Sequence, residues 1–439
     1  MKQNKNILIL STGDVNGAYE AAYRISLFAY QAGFNVVMLV KNKTQTDRFI
    51  IEVKPRAISR TEAILSLSKT ILKRLKFASG IYPSIPETHS KYIFYAEEQA
   101  LYYQGTELLS YLTFNPDLIL SCLTNDFVNT QTLVELKRLS GAEVVVVTMD
   151  MIPFTGGCHY AWDCKGYETV CADCPAIIDI RYKDLAQKNL MIKKKNIDLA
   201  DIKILAGAGW ALNQARRSFL FRNQKEIYNI NSCIDTSLFN NKNRMFAKGI
   251  FGFPQNTKVI FVGSQHINDE RKGVVYAIEA LNILWHKLAT SIRNEVLVVL
   301  VGNLFDDRSF IDKINLKKRY IEYIKDYRLL SLLYQASNIF LCSSIEDAGP
   351  LMVSEALACG TPVVGFEMGV TSNMVINGYN GYKAELKNSL QLAEGLEKIL
   401  SLSDEEFKTI SENAVLQVEL YSSQQVVVKA IKKLFKAYP

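Results

Sequence analysis

One pattern occurs twice in this chain and constrains what it can fold into: a buried strand, a glycine turn, a helix and a second buried strand. In the first copy Ile7 to Leu10 is an apolar run and Gly13 to Gly17 a turn; Ala18 to Ala32 reads as a helix ending at Gly33, and Asn35 to Val40 as the next strand. Runs that are apolar throughout belong to strands covered on both faces, as in a parallel sheet. Residues 118–120, 144–149 and 202–205 add further strands. The pattern then restarts, with strands at 259–263, 296–302, 339–342 and 362–366 and helices at 273–285 and 350–359. With 439 residues, too many for one ordinary core, the chain is expected to be α/β, with two Rossmann-like doubly wound domains facing across a cleft. The expected divisions are 1–228 with a cysteine-rich insertion at 158–174, then 229–421. A last helix at 422–439 is expected to pack back on the first domain.

Composition narrows the partners. The net charge of +7 suits anionic ligands such as nucleotides, or an anionic membrane surface, and no nucleic-acid-reading motif accompanies it. The first residues, MKQNKNILILSTGD, hold four consecutive apolar residues, too few for a secretory core. No run approaches the ~18 apolar residues of a membrane span. The expected location is therefore cytoplasmic, where eight cysteines would stay reduced.

The stretch EDAGPLMVSEALACGTPVVGF, residues 346–366, concentrates chemistry. Pro350 suits a helix start and Gly360 a helix stop. Free N–H groups of Leu351 and Met352 would then face a ligand and favour phosphate. Asp347 precedes the helix, and Glu355 lies five residues past Pro350, about 7.5 Å along its axis. Carboxylates on either side of a bound diphosphate would suit a nucleotide sugar, with its ribose diol at one end and sugar hydroxyls at the other. The plainer alternative is a solvated acidic helix start that complements the helix dipole.

The surrounding sequence, LYQASNIFLCSSIEDAGPLMVSEALACGTPVVGFEMG, resembles the donor-site signature of the family 4 retaining glycosyltransferases of the GT-B fold. Their second glutamate falls on Glu355, and the first falls on Asp347, an Asp where the family usually has Glu; Glu346, one position upstream, could substitute. The resemblance implies that Glu355 holds the ribose diol and that Asp347 positions the donor sugar. ERKGVVYAIEAL is similar to the family's Lys-Gly helix start, so Arg271 and Lys272 would neutralise the diphosphate without a metal or other cofactor. DVNGAYEAAYRI looks like the N-terminal glycine loop, with Gly17 at its close-approach position. CIDTSLF and NGYNGY look like the interdomain element and the late glycine turn.

Residues 149–175, MDMIPFTGGCHYAWDCKGYETVCADCP, resemble a branch of bacterial members carrying Thr-Gly-Gly-Cys-His-Tyr after a His-Asp dipeptide. Here Met149 replaces that histidine while Asp150 remains, and His159 is a candidate for the acceptor side. Cys158, Cys164, Cys171 and Cys174 are spaced C-x5-C-x6-C-x2-C; they are candidates for a structural zinc site or are simply four reduced thiols. Residues 61–77, opening on Thr61 and closing on Phe77, form a basic amphipathic stretch. It would suit either peripheral contact with the inner face of the cytoplasmic membrane or packing on the first sheet.

The implied activity is a hexosyltransferase-type transfer from a nucleoside diphosphate sugar to a glycan or polyprenol-linked acceptor, in bacterial surface polysaccharide synthesis. Two rivals share the fold: a catalytically degenerate binding or scaffold subunit, for which Met149 and Asp347 argue, and a sugar-nucleotide epimerase, for which no acid/base set stands out. A nicotinamide oxidoreductase is disfavoured, because the first turn, STGDVNG, lacks GxGxxG.

Overall fold

The computed structural model describes residues 5–15, 17–54, 87–99, 103–304 and 309–436. The stretch 61–77 lies outside the described residues. Among them, no helix is long and apolar enough to cross a membrane.

The chain opens with β1 (Asn6–Ser11), α1 (Gly17–Gln31), β2 (Asn35–Val40) and β3 (Ile50–Glu52). It continues through β4 (Leu118–Ser121), α2 (Thr130–Ser140), β5 (Glu143–Thr148), α3 (Leu185–Ala200), β6 (Lys203–Ala206) and β7 (Ile227–Asn229). These strands form a seven-stranded sheet in the order β3-β2-β1-β4-β5-β6-β7. Its pairs β1–β2, β1–β4, β2–β3 and β4–β5 are parallel. Strand order reverses at β1, beside β4, and the carboxyl ends at such a reversal are where doubly wound sheets hold ligands.

The second array is β8 (Lys258–His266), α4 (Val274–Lys287), β9 (Val296–Asn303), β10 (Lys317–Ile321), α5 (Tyr327–Ala336), β11 (Ile339–Cys342), α6 (Leu351–Ala358), β12 (Val363–Phe366) and β13 (Gly381–Ala384). Then come α7 (Ser389–Leu400), α8 (Asp404–Tyr421) and α9 (Gln424–Lys436). The six-stranded sheet runs β10-β9-β8-β11-β12-β13, all parallel, with its reversal between β8 and β11.

Two compact units result. The first comprises residues 1–15, 33–204 and 215–226; the second comprises 16–32, 205–214 and 227–439. The main division thus falls at 226/227, while α1 groups with the second unit. So does α9, which packs along α1: Gln424 Nε2 donates to Gln31 Oε1 at 2.9 Å. Val427, Ile431 and Leu434 are the buried residues of α9.

Aromatic rings dominate the core of the second unit. Phe261 of β8 packs on Phe340 of β11 and Tyr334 of α5, with ring centroids 5.3 and 5.1 Å apart. Val353, Ala356 and Leu357 press the inner face of α6 against this cluster. The helix is therefore fixed by burial, and its N-terminal turn is held at the carboxyl end of β11.

Candidate functional site

In the second unit, β8 leads into a tight 3-10 turn, Glu270–Lys272, closed by Gly273 in the left-handed region (φ +62°). A Cβ on Gly273 would stand 2.1 Å from the Ser343 carbonyl oxygen, so glycine alone lets the turn lie against the end of β11. Two hydrogen bonds stitch the contact: Ile345 N–H to the Arg271 carbonyl at 2.8 Å, and Ser343 Oγ to the Lys272 carbonyl at 2.8 Å. This delivers the Lys272 ammonium to Asp347 Oδ2. Asp347 Oδ1 accepts the Gly349 N–H at 3.1 Å. Burial would raise the Asp347 pKa, but the charges of Lys272 and Arg271 outweigh it and hold the carboxyl below its ordinary value. Arg271 pairs with Asp269, and Glu346 is buried with its N–H on the Arg271 carbonyl at 3.4 Å.

Helix α6 begins one residue later than expected, with Pro350 as its N-cap. Pro350 supplies no side-chain cap, so the amides of Leu351 and Met352 lack intrahelical partners and point out of the helix beside Lys272 and Asp347. Basic turn, carboxylate and helix N-terminus are thus brought together as the sequence suggested.

Glu355 sits differently from expectation. It is 3% exposed, and its carboxylate is already engaged: Arg24 Nη2 donates to Oε1 at 2.8 Å and Tyr334 OH donates to Oε2 at 3.3 Å. Arg24, on α1, also bonds Glu20 at 2.9 Å and lies over the rings of Phe239 and Tyr327 at 5.1 and 5.6 Å. A ribose diol would have to take the place of Arg24 or share the carboxylate with it. Gly17, at the start of α1, has φ +49° and open space where a Cβ would be, so it is required by its backbone conformation and not by crowding.

In the first unit the Thr-Gly-Gly-Cys-His segment is wedged into place. A Cβ on Gly156 would meet the Ala186 carbonyl oxygen at 2.3 Å, and one on Gly157 (φ +140°) the Tyr95 carbonyl oxygen at 2.3 Å. The close approach presents His159 to Asp150, with Nδ1 and Oδ2 2.9 Å apart. The other oxygen of Asp150 accepts the Ile152 N–H at 2.9 Å. Both facing atoms are buried and have no other hydrogen-bond partner. Nearby, at the carboxyl ends of β4 and β5, a cavity of about 60 Å³ is lined by Glu97, Glu98, Ser121, Met149, Asp150 and Lys193. Burial pushes the Glu97 carboxyl up to about 7, against the pull of Lys193.

The four cysteines of the same segment gather in one neighbourhood. All four thiols are free of disulfides. Among the described residues, no three His, Cys, Asp or Glu side chains already stand as a metal-ligand set.

Sequence reading missed Arg24, Glu20 and Glu97. The charges on α1 recur four residues apart, a spacing that normally marks a solvated ion pair; only the fold shows them buried.

Residues 247–416 match glycosyl transferases group 1. The chain is 27% identical over 179 residues to the N,N'-diacetylbacillosaminyl-diphospho-undecaprenol alpha-1,3-N-acetylgalactosaminyltransferase of Campylobacter jejuni, covering 39% of this chain and 46% of that protein. It is 25% identical over 211 residues to the N-acetyl-alpha-D-glucosaminyl L-malate synthase of Bacillus anthracis, covering 47% and 53%. The chain thus spans about half the length of the curated relatives it matches. Among solved structures it is similar to sucrose-phosphate synthase from Thermosynechococcus elongatus (TM-score 0.63, 15% identity, 99% of both chains). It is likewise similar to Anabaena HepE in complex with UDP and glucose (TM-score 0.61, 14% identity, 99% and 100% of the two chains). The fold is therefore GT-B: two parallel-sheet α/β domains.

Proposed function

We propose that this protein is a retaining glycosyltransferase that moves a sugar from a nucleoside diphosphate donor to a glycan or polyprenol-linked acceptor, in building a bacterial surface polysaccharide. One observation carries the reading: Lys272, paired with Asp347, stands at the sheet reversal beside the uncapped N-terminus of α6. Two cations and free amides there suit the charge that grows on a departing diphosphate, and no divalent ion is needed for that role. The sugar's C1–O bond to the β-phosphate breaks, the acceptor oxygen bonds to C1 on the same face, and the acceptor's proton leaves with the diphosphate. Asp347 positions donor hydroxyls; Glu355 takes the ribose diol once Arg24 yields it.

We assign acceptor recognition to the first unit, where the Asp150–His159 pair presents a fixed imidazole. The matched Campylobacter jejuni relative is named for an undecaprenol-linked acceptor and Anabaena HepE was solved with UDP; both support a UDP-sugar and a lipid-linked acceptor. In this reading the protein works in the cytoplasm at the inner face of the membrane, reaching it through residues 61–77. The test is diphosphate release from UDP-, GDP- and ADP-sugars in the presence of polyprenol-linked glycan extract. Wild type should turn over one donor, and Lys272→Ala should lose at least ~100-fold, about 2.7 kcal/mol of transition-state stabilisation. Nucleotide binding without turnover on any acceptor would favour the scaffold reading instead.

A further inference from the structure

We propose that the cavity at the carboxyl ends of β4 and β5 is the subsite for the acceptor's sugar, that the Glu97 carboxyl accepts a hydrogen bond from one of its hydroxyls, and that the site takes a neutral sugar in preference to a uronic acid. This rests on the assignment of acceptor recognition to the first unit.

The segment that carries Glu97 is pinned. It is a 3-10 turn, Glu97–Gln99. The Glu97 carbonyl accepts from Asn129 Nδ2 at 3.3 Å, Glu98 accepts the Thr130 hydroxyl at 2.6 Å, and Gln99 Nε2 donates to Asn189 Oδ1 of α3 at 2.9 Å. Glu97 is thereby held at the cavity wall, where it is 6% exposed. The other charged groups of the lining are occupied. Lys193 Nζ donates to the carbonyls of Ile152 at 2.7 Å and Thr155 at 3.2 Å, and the two oxygens of Asp150 face the Ile152 N–H and His159. Among the described residues of the lining, Glu97 Oε1 is the one buried side-chain oxygen with neither a hydrogen-bond partner nor an ion-pair partner. A buried carboxyl oxygen left bare is costly, and a ligand hydroxyl would satisfy it.

Size, lining and charge set the class of ligand. The cavity, about 60 Å³, has room for about four waters at about 15 Å³ each, which matches the hydroxyl-bearing edge of one pyranose ring. Its walls include Val128, Leu133 of α2 and Ile197 of α3, so apolar surface surrounds the few polar groups that would orient a small ligand. The charge around Glu97 is negative: Glu98, Asp150 and Asp126 all oppose its ionisation, against Lys193 alone. A hydroxyl donor suits such a carboxyl, whereas the carboxylate of a uronic acid would meet like charge. The position fits as well, since strand order reverses beside β4.

The test is ligand-observed NMR of the full chain at about pH 8, above the value of about 7 for Glu97, with the methyl glycosides of glucose, galactose and N-acetylglucosamine and with methyl glucuronide. Wild type should bind at least one neutral glycoside, at least ~10-fold more tightly than the glucuronide. Glu97→Gln keeps the shape and removes the charge, and should narrow that preference. Glu97→Leu should weaken the neutral glycoside at least ~10-fold. Melting each variant with and without UDP, GDP and ADP shows that it is folded and reads the donor site separately, so failure of the transferase reading and failure of this subsite are told apart. A wild type that binds no neutral glycoside, as when water alone fills the cavity, would overturn the proposal. So would a glucuronide bound as tightly as the neutral sugars, or folded Glu97 variants that bind as the wild type does.

Discussion

At the residue scale, two buried charge systems make opposite predictions. Arg24 is 2% exposed and holds Glu20 and Glu355 together. Arg24→Met would strand two buried carboxylates, and urea unfolding should show a loss of about 3–5 kcal/mol. Glu97 is the reverse case, a buried carboxyl whose pKa is raised to about 7 by burial. Its folded value lies above its unfolded one, so the folded state binds more protons between the two. Stability should therefore fall as pH rises from about 4.5 to about 7, by on the order of 3 kcal/mol at most. Glu97→Gln should flatten this part of the melting-temperature profile; an unchanged profile would show that another group sets it.

At the element scale, the four strands that the sequence pattern did not reveal are informative. β3 and β7 are the edges of the first sheet, and β10 and β13 the edges of the second. Each is half-covered, as in Lys-Lys-Arg-Tyr-Ile of β10, and so lacks the apolar run that marks a central parallel strand. The central strands β1, β2, β4, β5, β6, β8, β9, β11 and β12 were legible because both their faces are buried. Local sequence also exposed the basic turn and α6, because a glycine and a proline punctuate them. It could not show Arg24 on Glu355, a contact between residues 331 positions apart. The Gly273 turn gives this scale its prediction. Gly273→Ala combines a left-handed φ with a Cβ 2.1 Å from the Ser343 carbonyl oxygen. The backbone conformation alone should cost roughly 1–3 kcal/mol, and the clash should move Lys272 away from Asp347. Denaturation should report the first effect, and weakened nucleotide binding beyond the stability loss should report the second.

At the scale of the whole molecule, both units place polar groups at the carboxyl ends of parallel strands, but with different chemistry. The second unit offers cations and amides; the first offers a carboxylate and an imidazole. That division is what a reaction between an anionic donor and a hydroxylic acceptor requires. The central claim is that the second unit binds a nucleoside diphosphate at Lys272. Its most direct measurement is the melting temperature of the full chain with UDP, GDP and ADP, for wild type and for Lys272→Ala. A ligand that binds only the folded state adds about 2.7 kcal/mol at a hundredfold excess over Kd. One diphosphate should raise the wild-type melting temperature, and the variant should need at least ~10-fold more of it for the same shift, about 1.4 kcal/mol of lost affinity. If none of the three shifts the wild type, or if Lys272→Ala responds as the wild type does, the donor site described here is wrong.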